Sequence, residues 1–273
     1  MPPSTVDAIV LLGWMERDEA VAFLRDQCYF EPALDNQQAE TLWTQYHARV
    51  EALPARIVPA TKRYPIPAGE QSLVKEFLRR FRGNNSDVID VLCIDPMELV
   101  AFQTVVVSDR ADHHHRQAGA WSKKTLVIDR PTANLPMRIE GDTIKLILPH
   151  AEHMIGQQPD GAFRIIQFAG FVSVVDIGAG RLLLKAGYHR SFAFTREVMN
   201  EPEAKDKLEL VALTTSLPPQ LSPTFPQPGL RTMVFGSRPP LFADFFVSDL
   251  AMAVKLRKKR WETHIRITAV DDP

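Results

Sequence analysis

The stretch KAGYHRSFAF, residues 185–194, sets a glycine directly before Tyr188, His189 and Arg190. The apolar run over 181–184 predicts a strand, and the residues from about 190 predict a helix, which leaves Gly187 as the turn between them. A helix that begins there turns its first backbone N–H groups outward with a partial positive charge, which is an anion site. His189 and Arg190 add donors at the same place, and an arginine can grip a phosphate with two parallel hydrogen bonds. Ser191 is placed to cap the helix or offer its hydroxyl. The alternative is a plain strand–turn–helix joint with a solvated arginine and a packed histidine.

Three further clusters have side chains suited to chemistry. DHHHRQ begins at Asp112, and on a strand His113 and His115 would share a face and one metal ion while His114 would not. In PHAEH, His150 and Glu152 would face the same way on an extended chain, enough for two ligands, though this is not the helical His-Glu-x-x-His spacing. A solvated strand face or a surface loop explains both runs equally. One of these histidines could instead complete the Gly187 pocket as an acid or base. KLRKKRW at 255–261, with Arg266, sets basic residues that include Lys258 and Lys259 beside Trp261, a pattern that suits nucleic acid and equally suits a charged strand edge. Asp244 lies among aromatics in RPPLFADFF, which reads as a segment docked on the core.

The elements that must position these groups follow from periodicity. Residues 15–53 read as two amphipathic helices: Ala20, Phe23, Leu24 and Gln27 share one stripe, and Ala39, Leu42, Trp43, Tyr46 and Val50 share another behind an Asp35 cap. A third helix carries Leu73, Phe77, Leu78 and Phe81 and stops at Gly83. Beyond the polar stretch RGNNSD the chain becomes rich in Val, Ile and Phe and reads as strands, with turns at EGD and IGAGR and one helix at about 190–200. The proline-rich tract 217–240 reads as a surface excursion or lid-like loop. The expected layout is α+β: a helical N-terminal region over 1–82 packed on a mixed, β-rich body over 87–273.

Composition narrows the function classes. A net charge of −1 at pH 7 gives no global attraction to nucleic acid or anionic lipid, so such binding needs a local patch. No apolar run is long enough to span a bilayer, and the opening stretch lacks the basic start of a signal peptide, so a cytoplasmic protein with no membrane partner is expected. The two cysteines, Cys28 and Cys93, match no metal or redox spacing and read as small buried apolar residues.

Strand, Gly-x-His-Arg, helix and then a strand such as LELVALT is similar to the phosphate-binding motif of the ParB/sulfiredoxin superfamily. Sulfiredoxins carry Gly-Cys-His-Arg at this point, ParB proteins Gly-Glu-Arg-Arg, and many ParB-like domains Gly-x-His-Arg. VLCIDPMELVAFQ, ending at Gln103, also resembles the ParB-like opening, an Ile-Asp-Pro-x-x-Leu run that closes on a glutamine. The resemblance implies that Gly187, His189 and Arg190 hold nucleotide phosphates. Tyr188 stands where sulfiredoxins have their reactive cysteine, so peroxiredoxin repair is not implied. Roughly 80 residues separate Gln103 from the motif, which requires an insertion, and no ParB-type DNA-binding helices follow.

The leading expectation is therefore a nucleotide- or phosphate-binding protein whose site comprises Gly187, Tyr188, His189, Arg190 and Ser191. If it is catalytic, the reaction is phosphoryl transfer or nucleotide hydrolysis with Mg²⁺, and Glu152 and Asp176 are the acids nearest to hand for the metal. Two alternatives stand beside it: a non-catalytic assembly module that docks a protein partner through the N-terminal helices, and a nucleic-acid binder that uses the basic C-terminal strand. Whether the protein is an enzyme is left open by the sequence.

Overall fold

The fold is α+β. The computed structural model describes residues 5–82, 87–107, 129–131, 137–140, 143–148, 153–157, 163–168, 172–200, 208–224, 227–257 and 261–266. The chain divides into two compact units, one formed by residues 1–126 and 171–257 and the other by residues 127–170 and 258–273. The boundary expected at 82–87 thus falls inside the first unit.

Along the chain come β1 (Thr5–Val10), α1 (Arg17–Ala22) with a π-helical turn over Phe23–Gln27, α2 (Asn36–Glu51), α3 (Gln71–Arg82), β2 (Val88–Ile94) and β3 (Val105–Val107). The second unit follows with β4 (Asp129–Pro131), β5 (Met137–Glu140), β6 (Thr143–Leu148), β7 (His153–Gln157) and β8 (Phe163–Phe168). The first unit resumes with β9 (Ser173–Asp176), β10 (Leu182–Ala186), α4 (Tyr188–Asn200), β11 (Glu209–Thr214), α5 (Pro228–Phe235) and β12 (Met252–Arg257), and β13 (Trp261–Arg266) returns to the second.

The sheet that carries the candidate site has the order β10–β9–β11–β2. β9 and β10 form a hairpin with Leu183 opposite Val175, β11 runs parallel to β9, and β2 closes the edge antiparallel to β11 with Cys93 opposite Leu210. Leu182, Leu183 and Leu184 are all fully buried, and so is every residue of β11, so both faces of this sheet are covered. The hairpin turn is the expected IGAGR, where Gly178, Ala179 and Gly180 all take positive φ and the Asp176 side chain accepts from Gly178 N at 2.8 Å.

The opening apolar stretch is a strand, so the N-terminal region is not wholly helical. β1 is the middle strand of a second sheet, β12–β1–β3, in register from Thr5 opposite Arg257 to Val10 opposite Met252. α1 and α2 pack against this sheet through Ala20, Phe23, Leu24 and Ala39, whereas Gln27 faces solvent. α2 starts where the sequence marks it: Asp35 accepts from Gln38 N at 2.8 Å, and the Gln38 side chain accepts from Asp35 N at 3.0 Å. The proline-rich tract holds α5, which begins on Pro228 and buries Val234. Proline at the first helical position has no N–H to waste, so the residue that suggested a loop is a helix start.

In the second unit, β6 pairs antiparallel with both β5 and β13, and β8 pairs antiparallel with β4 and β7. The two strands around RKKRW therefore belong to different units: β12 pairs with β1, and β13 with β6. Among the described residues, no helix is long and apolar enough to cross a membrane.

Candidate functional site

Gly187 joins β10 to α4 at φ +94°, a conformation that side chains rarely tolerate. A Cβ added there would lie 2.8 Å from Val172 Cα and 2.8 Å from its Cγ2, so the backbone is also packed too closely for any side chain. The first helical hydrogen bond runs from Ser191 N to Gly187 O at 2.9 Å. The N–H groups of Tyr188, His189 and Arg190 come before it, in the first turn of α4. The local sequence thus produces the expected strand–glycine–helix joint.

The side chains of this first turn go in several directions. Tyr188 is 2% exposed and points into the core. Its hydroxyl donates to Leu184 O at 2.8 Å and accepts from Phe102 N at 2.8 Å and Gln103 N at 3.3 Å. Burial pushes this phenol well above its usual range against the opposing effect of those two amides. Phe102 meets the tyrosine ring edge-on, with centroids 5.9 Å apart. The end of the VLCIDPMELVAFQ stretch is therefore brought directly against the Gly187 joint.

His189 is half-buried, and its Nδ1 accepts from Val107 N at 3.1 Å. An accepting Nδ1 carries no proton, so the neutral ring bears its hydrogen on Nε2. Arg190 is 7% exposed and Ser191 is fully buried, so neither is a solvated side chain. Ser191 Oγ donates to Glu209 Oε2 at 2.9 Å. Glu209, the first residue of β11, is itself buried, and burial raises its pKa to about 7 against the Ser191 hydrogen bond and the Arg190 charge. Its other oxygen, Oε1, has no hydrogen-bond partner among the described residues. Sequence reasoning missed Glu209; the signal available was one acid at the head of an otherwise apolar strand.

A second polar group, also missed, is gathered by Lys185, two residues before Gly187. Lys185 Nζ donates to Asp87 Oδ2 at 2.6 Å, to Ser216 Oγ at 2.7 Å and to Thr214 Oγ1 at 3.4 Å, and Ser216 Oγ donates to the same Asp87 oxygen. Burial alone would raise the Asp87 carboxyl, but the hydrogen bonds from Lys185 and Ser216 outweigh it and hold its pKa below the ordinary value. The ammonium is thereby committed to Asp87, beyond the end of β11 and before β2.

The other candidates separate. His113, His115, His150 and Glu152 lie outside the described residues, as do Lys258 and Lys259. Asp176 shapes the hairpin turn and lies 3.7 Å from Arg63 Nη2. Asp244 is a structural clamp: Arg56 grips it with two hydrogen bonds of 2.5 and 2.8 Å, and it accepts from Leu241 N at 2.8 Å. Among the described residues, no group of three or more His, Cys, Asp or Glu could hold a metal ion.

No family model, curated protein or solved structure matches this chain. The likeness to the ParB/sulfiredoxin superfamily therefore stands on its short motifs alone.

Proposed function

We propose that the protein binds a nucleotide or another phosphate ligand at the joint between β10 and α4, in the way the ParB/sulfiredoxin resemblance implies. The observation that carries this reading is Gly187, whose positive φ and contact with Val172 turn a strand directly into the first turn of a helix. Phosphate oxygens would accept from the amides of Tyr188, His189 and Arg190 and from the His189 Nε2–H. Arg190 would act from below as a buried positive charge, and Tyr188 and Ser191 would brace the helix. Binding is the activity proposed. The resemblance implies phosphoryl transfer or nucleotide hydrolysis, with Mg²⁺, for a catalytic form. Two buried, unbridged cysteines, Cys28 and Cys93, support placing the protein in the reducing cytoplasm.

Thermal unfolding with ATP, CTP, GTP and inorganic phosphate, with and without Mg²⁺, tests this. A ligand at about 100 times its Kd should stabilise the fold by about 2.7 kcal/mol, which raises the melting temperature by roughly 5–10 °C. The variant to compare is His189→Ala, which should lose that rise. Arg190→Ala is a poorer probe, because Arg190 is itself buried beside Glu209 and its loss disturbs the packing there. No rise with any of these ligands would overturn the proposal.

A second reading, protein docking, is favoured by one observation. Ile57 is 95% exposed on the segment after α2, which is held on either side by Arg56 N donating to Ser237 O at 2.8 Å and Thr61 N donating to Gly180 O at 3.1 Å. A concentration-dependent mass that Ile57→Asp abolishes, together with silence in the ligand assay, would select this reading.

A further inference from the structure

Two buried oxygen atoms, Thr195 Oγ1 on α4 and Glu209 Oε1 on β11, have no hydrogen-bond partner among the described residues. Ser191, which donates to Glu209 Oε2, and Thr195 lie four residues apart and so share one face of α4. Both are buried, and Glu209 is 3% exposed.

An ionised carboxylate presents about four acceptor sites and needs several donors when it is buried. Among the described residues, Glu209 receives one hydrogen bond, from Ser191. A neutral carboxylic acid fits this setting better: one oxygen accepts from Ser191, and the other carries a proton.

We infer that Glu209 is a pH-responsive latch, folded as a neutral acid where β11 meets α4, and that its ionisation destabilises the fold by placing a charge in a buried site. The charged neighbour on α4 is Arg190, whose field favours the ionised form and is outweighed by burial. Arg196 and Glu197 lie further along that helix. On β2 the residue opposite Glu209 is Ile94, which has no charge, and the acid just beyond it, Asp95, is turned to accept from Met97 N at 2.9 Å. The latch does not depend on the anion site, although α4 carries both.

The sign follows from the raised pKa. A carboxyl whose folded pKa is about 7, against an ordinary 4.5, contributes stability in full below 4.5 and loses it as the pH climbs to 7. Melting temperatures from pH 4.5 to 8 for the wild type and Glu209→Gln, which cannot ionise, isolate this contribution. The wild type should lose roughly 5–10 °C relative to the variant across that window. Parallel curves would overturn the latch. Should the variant fail to fold, ¹³C-carboxyl NMR of the unmodified, glutamate-labelled protein decides. One glutamate titrating near 7 supports the latch, and glutamates that all titrate near their ordinary 4.5 refute it.

Discussion

Gly187 shows how little side-chain chemistry a strand–helix joint needs. Its role comes from an absent Cβ and a backbone angle of +94°, and the neighbouring Val172 leaves no space for a substitute. Gly187→Ala should therefore destabilise the fold by about 2–3 kcal/mol, combining backbone strain with overpacking. Urea unfolding would measure it, and a loss under about 0.5 kcal/mol would mean that the joint can relax. The neighbouring residues divide the work differently from what their types suggest. Arg190 reads as an outward-facing phosphate grip, yet it is buried beside Glu209. The helix phase that turns it inward depends on the strand beneath it, and no local pattern in GYHRSF encodes that strand. Tyr188 likewise uses its hydroxyl for Leu184, Phe102 and Gln103.

Elements with strong local signals were legible. α2 carries both halves of a capping box, β2 and β10 are mostly apolar runs broken only by Asp90 and Lys185, and IGAGR supplies the positive-φ residues that its turn requires. Asp35→Ala removes half of the α2 cap and should cost about 1 kcal/mol, read as a drop in the urea midpoint with an unchanged slope. An unshifted midpoint would show that tertiary packing alone fixes the start of that helix. Elements held by distant partners were not legible. β1 is a strand because β12 pairs with it from the far end of the first unit, and α5 is hidden among prolines that elsewhere break helices. Glu209 was missed for the same reason: whether an acid in a strand faces solvent or core is settled by what packs on it.

For the molecule as a whole, long-range polar ties join what the sequence separates. Arg56, after α2, clamps Asp244 near the end of the first unit and lies over the Trp14 ring at 5.9 Å, while Trp14 Nε1 donates to Arg238 O at 2.9 Å. Phe102 and Gln103 reach Tyr188 although the chain between them supplies β4 to β8 of the second unit. Tyr188 thereby fixes the head of α4 against Leu184 of β10 and against Phe102 and Gln103. The most direct test is an amide NMR titration of the whole chain with ATP, CTP, GTP and inorganic phosphate. The account predicts saturable shifts centred on the amides of Tyr188, His189 and Arg190, lost in His189→Ala. Shifts that saturate elsewhere and leave these amides unmoved, or no saturable shift at all, would contradict it.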